Sequence, residues 1–97
     1  YIDGAKPLNP EERKIAIRDH GGYGNAYKQL LPTLLKRVKP LEEAGVHFYD
    51  LTYMFSETPD TLYVDNCCHL NPKGYDIVAR KLMTTISDDY YDLPVSD

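Results

Sequence analysis

The chain has 97 residues, a formal net charge of -4 and 42% hydrophobic residues. That length suits one small domain or part of a larger one, and that hydrophobic share excludes global disorder. The acidic balance argues against a nucleic-acid partner, which needs a basic patch or stripe.

No apolar run reaches the ~20 residues that a membrane span requires. The start, YIDGAKPLNPEE, lacks the basic region and apolar block of a signal peptide. The expectation is a soluble chain with no transmembrane segment and no signal peptide in this segment. The adjacent Cys67 and Cys68 do not make a disulfide framework. Nine tyrosines and no tryptophan suit half-buried positions and interfaces, because the ring is apolar and its tip is polar.

Asn9-Pro10-Glu11-Glu12 reads as a helix start: a good N-cap, a proline in the first turn, and acids facing the positive end of the dipole. This helix is expected to run to about Asp19, where His20-Gly21-Gly22-Tyr23-Gly24 breaks it. A long helix is expected from about Asn25 to Ala44. Tyr27, Leu31, Leu34, Val38 and Leu41 recur at three- and four-residue steps along it. Pro32 and Pro40 each remove a backbone donor and should kink or split it, and Gly45 is a fitting C-cap. Val46 to Leu51 (VHFYDL) reads as a strand. Ser56 to Thr61 is a loop, and Leu62-Tyr63-Val64 is a short extended segment. Asn71-Pro72-Lys73 opens a last helix with Tyr75, Val78, Ala79, Leu82, Met83 and Ile86 on its buried side. Residues 87–97 form an acidic tail expected to be flexible.

A helix, a glycine and then a strand make half of a βαβ crossover, which implies a parallel sheet. One such strand wants neighbours on both sides, and this chain does not supply them. The expected class is therefore α/β with a parallel sheet, the pattern being what remains when the earlier βα units of such a domain are absent.

His69 is the first candidate for chemistry. It sits between an extended segment and a helix start, and loops at such junctions of α/β folds build sites. Asp65 lies four residues before it. A carboxylate that near can accept the imidazole N–H, fix the tautomer and stabilise the imidazolium, as a general base requires. The plain alternative is an ordinary loop pairing, since Asp and His are common loop residues. Cys67-Cys68-His69 invites a zinc reading, but His20 and His47 are not grouped with them at ligand spacing. Cys68 and His69 are neighbours on an extended segment and point apart, which disfavours a cysteine nucleophile. Small buried packing for one cysteine is the expected role, with a vicinal disulfide as the alternative.

The run LYVDNCCHLNPKGYDIVARKL resembles the final block of the SGNH (GDSL-type) hydrolases. In that block an acid and a histidine share a loop ahead of an Asn/Thr-x-x-Gly helix start. The matching residues are Asp65, His69, Leu70, Asn71, Gly74 and Ile77-Val78-Ala79. Gly45 to Thr52 with Phe55 is similar to the strand segment before that block, and Lys6 to Glu12 to a linker in some members. The resemblance covers most of the chain, so residues 1–97 would be the C-terminal portion of one such domain, and it implies the C-terminal part of a three-layer α/β/α sandwich with a parallel, flavodoxin-like sheet. Two departures stand out. The family places its acid three residues before the histidine, where Asn66 stands here. Its Gly-Asp-Ser nucleophile block and oxyanion-hole loops have no counterpart: Ser56, Ser87 and Ser96 lack the glycine context that exposes a nucleophile, and Gly24-Asn25 fits capping better.

The resemblance implies ester or acyl hydrolysis through a serine acyl-enzyme, in the manner of an esterase or lipase. His69 would be the base and then the acid, and Asp65 its orienting partner. It implies a small-molecule ester or acylated substrate, no metal, no organic cofactor, and a nucleophile carried by the remainder of the hydrolase domain. The rival expectation is a non-catalytic helical module that packs its apolar stripes on a partner chain.

Overall fold

The computed structural model describes residues 1–18 and 22–91. It contains three α-helices: α1 Pro10–Ala16, α2 Tyr23–Glu43 and α3 Pro72–Ile86, the last continuing into a π-helical turn, Ser87–Tyr91. The first five residues of the expected tail are thus helical, and residues 92–97 lie outside the described part.

α1 begins as its sequence dictates. The Asn9 side chain accepts from the Glu12 amide at 2.9 Å, and the Glu12 carboxylate accepts from the Asn9 amide at 3.4 Å. This reciprocal box satisfies two donors that the first turn would leave orphaned. The helix ends at Ala16, sooner than expected. The expected end at Asp19 and the break at His20-Gly21 fall outside the described residues.

α2 is a single helix through both prolines. Each proline leaves the carbonyl four residues earlier, Lys28 or Lys36, without its helical donor. The neighbouring turns hold the helix together nonetheless. Its N-cap is Gly22, at φ 74°, with no side-chain cap, and Asn25 lies inside the helix, accepting from Gln29 at 3.4 Å. The C-terminus closes on Gly45, at φ 95°. Val46 donates to the Leu41 carbonyl and Gly45 to that of Glu42, both at 3.0 Å, which is the Schellman arrangement.

The expected parallel sheet and α/β/α sandwich are absent: the described residues form no strand, and Val46 to Leu51 run as irregular chain. A strand is stable only with a neighbour to take its amides and carbonyls, and none of the described segments pairs with this one as a β-ladder. The Val46 amide is already spent on the helix end, and Asp50 accepts from the amide and hydroxyl of Thr52, a turn rather than an extended ladder. The only β pairing among the described residues is an isolated antiparallel bridge between Tyr63 and Leu70.

The core is small. Ala5, Ala16, Val38, Phe55 and Leu62 are its buried apolar residues. The Tyr63 ring packs in T-shaped contacts with Tyr1 and Phe55, each centroid pair 6.2 Å apart. Of the stripe expected on α2, Val38 is buried and Leu31 half-buried, while Tyr27, Leu34 and Leu41 are exposed. On α3, Tyr75, Leu82, Met83 and Ile86 are exposed as well, contrary to expectation, and Gly74 is the buried residue. The 3.6-residue period is real on both helices, but the described chain holds too few elements to cover the faces it marks.

Candidate active site

The loop Asp65 to Cys68 stands on a closed base. Leu62 accepts from the Asn71 amide at 2.8 Å, and the Val64 amide donates to the His69 carbonyl at 3.3 Å. The Asn71 side chain then does two things. Its oxygen caps α3 by accepting from the Gly74 amide at 2.9 Å, and its nitrogen donates to the Thr61 carbonyl at 2.6 Å. The helix start is thereby tied to the strand-like arm 61–64 that enters the loop. Asn9 reinforces this arm, donating to the Thr61 hydroxyl at 2.6 Å.

Within the loop, Asp65 gathers the donors. Its Oδ1 accepts from the amides of Cys67 at 2.9 Å, Cys68 at 3.1 Å and His69 at 3.3 Å. Its Oδ2 is hydrogen-bonded to Nδ1 of His69. The Cys67 amide and then the His69 ring hold the carboxyl at about 2, well below the usual carboxylate range, against the opposing effect of burial. An ionised, anchored carboxylate on Nδ1 leaves Nε2 as the nitrogen that can take a proton. The His69 side chain is 65% exposed and that of Asp65 36%, so the pair faces outward.

The two residues singled out from the sequence, His69 and Asp65, are therefore brought together. The loop coils, through the three amides on Oδ1, far enough for an acid four residues back to reach the ring. Asn66, at the family's usual acid position, turns its side-chain amide to the Arg18 carbonyl at 2.6 Å.

Cys67 and Cys68 are joined in a vicinal disulfide, and neither is buried: Cys67 is half-buried and Cys68 exposed. The expected packing role is replaced by a covalent ring in the loop. The Tyr27 hydroxyl lies 3.2 Å from the Cys67 sulfur. A cavity of about 160 Å³ adjoins this side of the loop, with Tyr1, Tyr27, Tyr63, Asp65, Asn66 and Cys67 among its walls. Burial, with the nearby Tyr1 and Glu12, pushes the Tyr63 phenol up to about 12.

The remaining candidates stay apart. No three His, Cys, Asp or Glu side chains converge as a metal-ligand set among the described residues. His47 lies 3.5 Å from Asp89 and 3.4 Å from the Tyr49 hydroxyl. Ser56 sits in the turns after Leu51, and Ser87 follows α3. Ser96 and His20 are outside the described residues.

One feature of the neighbourhood escaped the sequence reading. Lys6 and Glu12 are 1% and 0% exposed and form a 2.6 Å ion pair. The N-x-x-E pattern marks Glu12 as a capping residue, but nothing local marks it as buried.

Among the described residues no helix is long and apolar enough to cross a membrane. Comparison with protein-family models, with curated proteins and with solved structures finds no match for this chain.

Proposed function

We propose that this chain carries the acid–histidine part of a serine hydrolase of SGNH type, acting on ester or acyl substrates. The observation that supports it is the anchored pair: Asp65 bound to Nδ1 of His69 while three amides fix its other oxygen. The amides alone make an Asx-type loop turn; the bond to the ring nitrogen is what ties this carboxylate to the histidine. A general base does need its orienting acid ionised and rigid.

In this reading the serine comes from a segment outside these 97 residues. His69 Nε2 takes the serine Oγ proton as Oγ bonds to the substrate carbonyl carbon. Asp65 stays ionised and stabilises the imidazolium. The same proton passes to the leaving alcohol as its bond to the acyl carbon breaks. A water then repeats the sequence: it gives one proton to His69 as its hydroxyl bonds to the acyl carbon, and that proton passes to Oγ as the acyl–Oγ bond breaks, restoring the serine and releasing the acid.

The test is labelling of the longer, serine-containing protein by a fluorophosphonate probe, with the wild type compared with His69→Ala. Labelling is expected in the wild type and lost in the variant. Labelling of the variant at the wild-type rate would sink the assignment.

A second reading is supported by a separate observation. Leu30 and Leu34 line one open apolar groove along α2 with Tyr27 and Leu31, and Leu82, Met83 and Ile86 of α3 are exposed; contiguous apolar surface marks interaction sites. A non-catalytic module that packs these faces on a partner chain accounts for them without chemistry at His69. In that case the serine-containing protein gives no His69-dependent labelling, and charged substitutions at Leu30 and Leu34 abolish assembly.

A further inference from the structure

We propose that Glu12, far from the loop in sequence, is a positioning residue for the Asp65–His69 pair, gripping the arm from which the loop springs; the proposal rests on the hydrolase reading above. The Glu12 carboxylate is fully buried and its two oxygens divide the work. Oε1 takes the Lys6 ammonium at 2.6 Å and the Asn9 amide at 3.4 Å. Oε2 takes the consecutive amides of Leu62 at 2.9 Å and Tyr63 at 3.1 Å.

Those two amides belong to the arm whose carbonyl at Leu62 and amide at Val64 pair with Asn71 and His69. A lone bridge leaves the remaining donors of such an arm unpaired, and buried unpaired amides are costly. No strand supplies acceptors, so a carboxylate does. Tyr63 is two residues before Asp65, and its bridge partner Leu70 directly follows His69. Fixing Leu62 and Tyr63 therefore fixes both stems of the loop. Glu12 makes no contact with the ring of His69 and acts only through this backbone.

Lys6 sets the charge state. Its ammonium also donates to the Pro7 carbonyl at 2.9 Å and lies 6.0 Å from the centre of the Tyr63 ring. Burial alone would raise the Glu12 carboxyl. Lys6 and the amides of Leu62, Tyr63 and Asn9 outweigh it and hold the group below its ordinary value. A glutamine here can accept on one oxygen only. If it serves the two amides, its own N–H groups face the buried ammonium, a donor against a donor.

The experiment follows the Asp65 carboxyl carbon by NMR across pH in the full-length protein, with no substrate. In the wild type the midpoint is expected near 2. In Glu12→Gln it is expected to rise toward the ordinary 3.8, with faster amide exchange at Cys67, Cys68 and His69 and unchanged shifts in α2. If Glu12→Gln does not fold, Glu12→Asp decides. It keeps the charge beside Lys6 but is one methylene too short for Leu62 and Tyr63, and the same rise is expected. A midpoint that stays near 2 in whichever variant folds overturns the proposal. Failure of the hydrolase reading shows separately, as fluorophosphonate labelling that ignores His69.

Discussion

Gly74→Ala tests whether the site's geometry depends on one missing methyl group. Gly74 is the third residue of α3, buried, with its amide on the Asn71 cap. A Cβ built there lies 2.8 Å from Cβ of Leu70, 3.3 Å from its Cδ1 and 3.4 Å from its Cγ. Carbon atoms prefer separations of about 3.5–4.0 Å. A new rotamer can move Cγ and Cδ1 but not Cβ, which is fixed to a backbone held by the Tyr63 bridge. Overpacking of this kind costs about 1–3 kcal/mol, while alanine gains up to about 1 kcal/mol over glycine in helix propensity. The net expectation is a destabilisation of about 1 kcal/mol, read by urea unfolding followed at the helical circular-dichroism band. Leu70 must retreat, so the bond from the Val64 amide to the His69 carbonyl should lengthen and that amide exchange faster. Adding Leu70→Ala removes Cγ and Cδ1 but leaves Cβ, so it should not restore stability. A Gly74→Ala chain more stable than the wild type by the propensity gain would refute the reasoning.

Two more predictions follow from the same geometry. Asn71→Ala loses both the cap on α3 and the bond to Thr61, and should cost about 1–2 kcal/mol in the same unfolding assay; Asn71→Ser keeps a capping oxygen and should recover part of it. In acid, Asp65 and Glu12 both have folded values below their ordinary 3.8 and 4.5. Their contributions are complete above those values and lost as pH falls through the folded ones, near 2 for Asp65. The melting temperature should therefore fall steadily below about pH 4, by the same linkage. Asp65→Asn should flatten its share of that slope, and an unchanged slope would remove the loop from the account.

The local chemistry of this chain is written in short stretches of its sequence. Asn9 and Asn71 each precede a proline, and each caps the helix it announces. Gly45 ends α2 because the left-handed turn there strains any side chain. Asp65 and His69 could be nominated because a carboxylate within one turn of an imidazole can reach it. Their pairing was not decided at that level: Asp65 and Asn66 were both near enough, and the coil of the loop around three amides selected Asp65.

What depended on distant segments was not legible. VHFYDL has the composition of a strand, but a strand exists only where another chain segment takes its hydrogen bonds, and here none of the described residues does. The apolar stripes of α2 and α3 have the right period, yet period does not say whether anything lies against them. The burial of Lys6 with Glu12 is the same kind of fact. Glu12 reads as a first-turn acid of α1, and only the arm 62–63, about fifty positions on, brings two amides to its carboxylate. Propensity and capping act within a turn or two of the chain, whereas sheet pairing, burial and the grip of Glu12 on the Asp65–His69 loop arise only when remote segments meet.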